Sequence, residues 1–128
     1  MTEATYLRPG SPPGLLQHRC DRATQPSRLR LIWYDADSLE DNREATLADY
    51  LNMKDRPGVK WLHLQGLEDL GLLQDLGDIL GLHPLALEDV VEGHAPVKVD
   101  DYPDYLFIVF RLVTNLENYE DEQISLVL

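Results

Sequence analysis

Residues 81–93, GLHPLALEDVVEG, contain the ends of two helices in one short stretch. Pro84 suits the first turn of a helix, where the N–H that proline lacks would have no intrahelical partner. Gly93 is well placed to end that helix, and Gly81 to end the helix before it. The sequence therefore predicts a short helix over residues 84–92 that follows directly on another helix.

The residues before this segment alternate between strand-like and helix-like patterns. Strands are predicted at Leu29–Tyr34 and Val59–Leu64, which are rich in aliphatic and aromatic side chains. Ser38, with Asp41 three residues later, resembles a helix-opening capping box. We therefore expect a helix that opens at Ser38 and continues at helical spacing through Ala45–Met53.

The other predicted elements complete the order of the fold. Residues 69–80 place their leucines on one side of an amphipathic helix. Three strand-like runs come last, at Val97–Val99, Tyr105–Val113 and Gln123–Leu128, with a polar turn at Asp100–Tyr105. The order β-α-β-α-α-β-β-β predicts the α/β class, as an α/β/α sandwich with a mixed β-sheet flanked by helices. Because the last run reaches the end of the chain, we expect the sheet to lack its last strands.

The length of 128 residues corresponds to one domain. Residues 1–28 contain four prolines and little periodicity, so they are predicted to be an extended lead-in to a domain at residues 29–128. Apolar residues make up 44% of the chain, enough for a real core. The aromatic side chains predicted to lie in that core are Trp33, Trp61, Phe107 and Phe110.

The net charge of −12 lies entirely in the second half of the chain. Residues 61–128 hold fourteen acidic residues against Lys98 and Arg111, which argues against nucleic-acid binding and against docking to anionic membranes. Cys20 is the only cysteine, so neither an internal disulfide nor a thiolate zinc cluster can form. The longest apolar run, Leu106–Phe110, is far shorter than a membrane span.

Three carboxylates are the strongest candidates for a functional site. Glu88, Asp89 and Glu92 fall on one edge of the helix predicted at residues 84–92, an edge that we expect to be exposed. Such an edge can bind a hard cation, and Mg²⁺ needs only one or two carboxylates because it keeps most of its waters. The same pattern is also typical of a solvated acidic helix face.

His83 and His94 flank this helix and suggest a metal-dependent hydrolase as one alternative. The spacing is poor for a ligand pair, and no positioned nucleophile accompanies them. His83 precedes Pro84 and is instead predicted to cap the helix. No catalytic constellation is predicted, so we expect the chain not to be an enzyme.

Several motifs together resemble the amino-terminal cytosolic domain of the CorA family of divalent-cation transporters. The most specific is GLHPLALEDV at residues 81–90. Others follow the family in the same order: Pro12-Pro13-Gly14, residues 61–64 with Gly66-Leu67, His94, Pro96, Lys98-Val99, Tyr102, residues 105–109 and residues 122–126.

The resemblance implies a homopentameric Mg²⁺ channel in the cell membrane, with this domain on its cytoplasmic side and the membrane helices outside this chain. Asp89 matches the family position whose carboxylate helps to bind an ion between subunits, and Glu88 matches its second-site neighbour. Mg²⁺ at these sites would favour the closed channel, and Co²⁺ or other divalent cations are further expected ligands. The alternative is a free-standing acidic domain that binds a basic protein.

Overall fold

A computed structural model describes Pro13, Leu16 and residues 25–128. Almost all of the predicted lead-in, residues 1–28, lies outside the described residues. From residue 25 onward the chain forms two compact units, residues 25–76 and residues 77–128.

The unit formed by residues 25–76 is built on a three-stranded sheet. Its strands are β1 (Arg28–Tyr34), β2 (Leu39–Asn42) and β3 (Val59–Gln65), in the order β2-β1-β3 with antiparallel pairing throughout. Helix α1 (Leu47–Met53) lies between β2 and β3 in sequence, and α2 (Leu70–Leu80) follows β3 and crosses the unit boundary. The predicted strands at residues 29–34 and 59–64 are thus confirmed.

The predicted helix start at Ser38 is wrong, because residues 39–42 form β2. The Asp35 carboxylate accepts hydrogen bonds from the main-chain N–H groups of Asp37 and Ser38, at 2.9 and 2.8 Å, which makes a turn into a strand. Asp41 receives two bonds from the Arg30 guanidinium on β1, at 2.7 and 2.6 Å. An ion pair across the sheet therefore occupies the carboxylate that was expected to cap a helix.

The capping box of α1 lies eight residues further along the chain. The Thr46 hydroxyl accepts from the Asp49 N–H at 3.2 Å, and the Asp49 carboxylate accepts from the Thr46 N–H at 2.8 Å. Each residue thereby satisfies a backbone donor that the helix leaves without a partner.

The unit formed by residues 77–128 combines a helix with a second three-stranded sheet. Helix α3 (Pro84–Glu92) is followed by β4 (Lys98–Tyr102), β5 (Tyr105–Asn115) and β6 (Glu120–Val127). These strands pair antiparallel in the order β4-β5-β6. Helices and strands thus occur in both units, and the predicted α/β class is confirmed.

The core of this unit lies between α3 and one face of its sheet. Ala86 from α3, Ala95 from the following loop, and Phe107 and Val109 from β5 form one buried cluster. Val90 of α3 packs against this cluster. The apolar side of α3 is therefore held against β5, and the side of the helix that carries Asp89 approaches β4.

The hairpin between β4 and β5 is tighter than expected. The polar turn predicted at Asp100–Tyr105 is limited to Pro103 and Asp104, because Tyr102 and Tyr105 already pair across the strands. Strand β4 continues to Tyr102, beyond the predicted end at Val99, and Tyr102 packs against the buried cluster.

Two of the four aromatic residues predicted to be in the core are exposed. Trp33 and Phe107 are buried, as predicted, but Trp61 is 55% exposed and Phe110 is 38% exposed. Side chains alternate between the faces of a strand, so Phe110 must face away from Phe107, three residues earlier. Trp61 pairs with Ile32, on the face opposite to Trp33.

Gly77, in the last turn of α2 that belongs to this unit, allows a close approach to α3. A Cβ atom at residue 77 would lie 2.5 Å from Cδ1 of Leu87 on α3, and Leu87 is only 1% exposed. A buried leucine in a packed core cannot move away without displacing its neighbours. The glycine is therefore required by packing.

We expect Gly77→Ala to destabilise the chain by about 2 kcal/mol, because overpacking outweighs the better helix propensity of alanine. Urea denaturation followed by circular dichroism measures this difference. Gly71→Ala is the matched control on the same helix, where the new Cβ would meet only the Asp69 carboxylate, at 3.2 Å. A loss at residue 77 no greater than that at residue 71 would contradict the packing argument.

Candidate metal site

The helix that carries the candidate carboxylates begins at a histidine cap. Nδ1 of His83 accepts a hydrogen bond from the Leu85 N–H at 3.1 Å. The His83 main-chain N–H donates to the Tyr105 hydroxyl at 2.9 Å, and its ring stacks on Tyr102 with centroids 5.7 Å apart. The predicted capping role of His83 is thus confirmed.

The other end of α3 is closed by Gly93 and by two side chains from the sheet. Gly93 takes the left-handed conformation, with φ of 71°, and its carbonyl accepts from the Arg111 guanidinium at 3.0 Å. Nε2 of Gln123 donates to the main-chain carbonyl of Asp89 at 2.8 Å, and its Oε1 accepts from the Ala95 N–H at 2.9 Å. These bonds fix the position of Asp89 relative to the sheet.

Lys98 on β4 joins two carboxylates from different elements. Its Nζ atom lies 2.6 Å from Oδ2 of Asp89 on α3 and 2.7 Å from Oδ2 of Asp100 on β4. The side chains of Lys98 and Asp89 are 29% and 23% exposed, so the group is partly withdrawn from water but still reached by it. Hydrogen bonds to Asp100 and Asp89 hold the pKa of Lys98 well above its ordinary value.

The three predicted carboxylates lie on α3, but their surroundings differ from the expected exposed edge. Glu88, Asp89 and Glu92 are all half-buried. Asp89 is covered in part by Lys98, which β4 brings against the helix. Among the described residues, no group of three or more His, Cys, Asp or Glu side chains is arranged to hold a metal ion.

Lys98, Asp100 and Gln123 are the residues of this site that the sequence did not reveal as a group. One signal was available, because Lys98 is the only lysine and Arg111 the only arginine after residue 60. Both are used in ion pairs on the α3 side of the sheet, and Arg111 lies 2.6 Å from the Asp121 carboxylate. In this acidic segment, the two cationic side chains therefore lie where carboxylates are held in place.

The two histidines are not brought together. His83 precedes the first residue of α3 and His94 follows its C-cap, so a helix of nine residues, about 13 Å long, lies between them. His94 is exposed. The arrangement offers no His–carboxylate centre of the kind that a metal-dependent hydrolase requires.

A comparison with known families matches the part of the chain that contains the acidic helix. The family model described as "CorA-like Mg2+ transporter protein" matches residues 56–128, which include α3 and the whole second sheet. The chain belongs to the CorA family. Since this is a family of transporters, membership supports the prediction that the chain is not an enzyme.

A named CorA protein is similar to nearly the whole chain. The cobalt/magnesium transport protein CorA of Thermotoga maritima is 29% identical over 122 residues, which cover 93% of this chain. The match covers 34% of that relative, so the chain spans about a third of its length. In the described part of this chain, none of the helices is long and apolar enough to cross a membrane.

The cap at His83 predicts a specific pattern of substitutions. We expect His83→Ala to lower the free energy of unfolding by about 1 kcal/mol, because the Leu85 N–H loses its acceptor. His83→Asn, whose side-chain oxygen can accept in place of the ring nitrogen, should recover most of that loss. Urea denaturation measures both, and equal destabilisation by the two variants would contradict the capping role.

The ion pairs of Lys98 predict a pH dependence at the alkaline end. The pKa of Lys98 is higher in the folded chain than its value of about 10.4 in an unfolded one, so its stabilising effect is complete below that pH and is lost as pH rises further. The difference in unfolding free energy between wild type and Lys98→Gln should therefore shrink from pH 8 to pH 12. A difference that stays constant with pH would contradict it.

Proposed function

We propose that this chain is the cytosolic Mg²⁺-sensing part of a CorA-like magnesium transporter. In this proposal Asp89, with Glu88 beside it, binds Mg²⁺ where neighbouring subunits of a homopentamer meet, and the bound ion favours the closed channel. The complete protein would lie in the cell membrane with this domain on its cytoplasmic side. The name of the Thermotoga relative supports cobalt as a second transported ion.

The observation that carries the proposal is that the carboxylates of Asp89 and Asp100 already share one positive charge, the ammonium group of Lys98. The Lys98 ammonium lies within 2.7 Å of carboxylate oxygens on both α3 and β4. A position where two carboxylates converge on one positive charge is favourable for cations in general, and the surrounding half of the chain carries a large negative excess. Water reaches the side chains of Lys98 and Asp89, so a hydrated ion could reach them as well.

The donor set fits Mg²⁺ better than a softer metal. Asp89, Glu88 and Asp100 offer carboxylate oxygens, which suit hard cations, and the described residues around them offer no thiolate. A Mg²⁺ ion retains several waters and can be held by one or two carboxylates. A site with few protein ligands on one subunit is consistent with completion by a neighbouring copy.

Electrostatics supplies a reason for such a site to control assembly. Acidic faces of adjacent subunits repel one another, and the repulsion falls when a divalent cation lies between them. A cation that binds only where two faces meet therefore shifts the population towards the assembled, closed ring. When cytosolic Mg²⁺ falls, the faces separate and the ring loosens.

We expect Asp89→Asn to remove most of the stabilisation that Mg²⁺ gives to this chain. With a dissociation constant of about 1 mM, 10 mM MgCl₂ should raise the unfolding free energy of the wild type by about 1.4 kcal/mol. Thermal and urea denaturation, compared with NaCl at matched ionic strength, measure the increment. In the complete transporter reconstituted in vesicles, the same variant should conduct without being closed by internal Mg²⁺.

Asp101→Asn is the matched control, because it removes the same charge from an exposed residue of β4 outside the Lys98 group. It should keep the full Mg²⁺ increment and the Mg²⁺-dependent closure. Equal responses of the Asp89 and Asp101 variants to Mg²⁺ would show that general charge screening, and not a site at Asp89, causes the effect.

A further inference from the structure

Lys98 occupies one of the two carboxylate oxygens that Asp89 could offer to a metal ion. Its Nζ atom contacts Oδ2 of Asp89 at 2.6 Å, a short, charge-assisted contact. An incoming cation must either share the Asp89 carboxylate with an ammonium group or displace it. Sharing brings a positive charge within a few Å of a divalent ion, which is repulsive even in water.

Asp100 gives the displaced ammonium a second partner. Lys98 already contacts Oδ2 of Asp100 at 2.7 Å, on the same strand and the same face of the sheet. The long, flexible lysine stem can therefore release Asp89 while the charge stays paired. Movement away from Asp89 leaves no unpaired charge, so the exchange is reversible at low cost.

The competing charge is also tethered, which distinguishes ions by valence. A tethered ammonium group acts at a high local concentration near the carboxylate. A free monovalent ion carries the same charge as the ammonium group, so it has no electrostatic advantage in competing for that carboxylate. A divalent ion gains twice the attraction to the same carboxylate. The arrangement therefore favours exchange with divalent over monovalent cations.

From this geometry we infer that Lys98 is a built-in competitor for the cation site at Asp89, which neutralises that carboxylate in the ion-free protein and sets the Mg²⁺ concentration at which the site fills. The inference rests on the proposed function, because it requires the cation to bind at Asp89. It assigns Lys98 a role in setting affinity and valence selectivity, separate from the role of the carboxylates as ligands.

The test is a titration of the chain with MgCl₂ at constant ionic strength, followed by the main-chain amide shifts of α3 and β4 in NMR spectra. Lys98→Met should bind Mg²⁺ about tenfold more tightly than the wild type, which corresponds to about 1.4 kcal/mol. Lys98→Arg keeps the positive charge and should bind no more tightly than the wild type. Lys98→Gln repeats the neutral change if the methionine variant does not fold.

A double variant separates the failure of this inference from the failure of the proposed function. Lys98→Met combined with Asp89→Asn should lose the gain in affinity. If Asp89→Asn alone binds Mg²⁺ as the wild type does, the proposed function fails, and the inference with it. If Asp89→Asn weakens binding but the neutral variants of Lys98 bind no more tightly, only the inference is overturned. A gain that persists without Asp89 overturns it as well.

Discussion

The attachment of α3 to the sheet β4-β5-β6 is the constraint on which the candidate site depends. A helix of nine residues is too short to be stable alone in water. Each strand supplies one polar anchor to the helix or its immediate surroundings: Lys98 from β4, Arg111 from β5 and Gln123 from β6. Together with the buried cluster around Phe107, these bonds determine where the Asp89 carboxylate lies.

Local sequence signals were sufficient to predict α3 and insufficient to predict its anchors. Pro84, His83 and Gly93 act within a few residues of the helix ends that they define, so the sequence alone shows both ends. Gln123 contacts the Asp89 carbonyl across 34 positions of sequence, and only the register of β5 with β6 places it there. Long-range bonds of this kind have no local pattern that could reveal them.

The predictions that failed also involve residues far apart in sequence. In each case a local pattern was present, but a residue on another strand determined what the side chain does. Asp41 follows Ser38 at capping-box spacing, yet Arg30 on the neighbouring strand takes its carboxylate. Trp61 is a large aromatic residue of the kind that often lies in a core, but its pairing with Ile32 places it on the exposed face of the sheet. Local propensity therefore predicted most elements, and pairing between strands determined which residues face the core.

The position of Lys98 bears on how a cation sensor can work. A structural metal site leaves its ligands in mutual repulsion when the metal is absent, so loss of the metal unfolds the domain. Here the ammonium of Lys98 pairs with the carboxylates of both Asp89 and Asp100, which lowers the repulsion between them. Under the proposed function, the free energy of Mg²⁺ binding can then act on the contact between subunits as well as on folding. If Lys98 competes for the site as we infer, it weakens cation binding, and weak binding allows the occupancy of the site to change as the cation concentration changes.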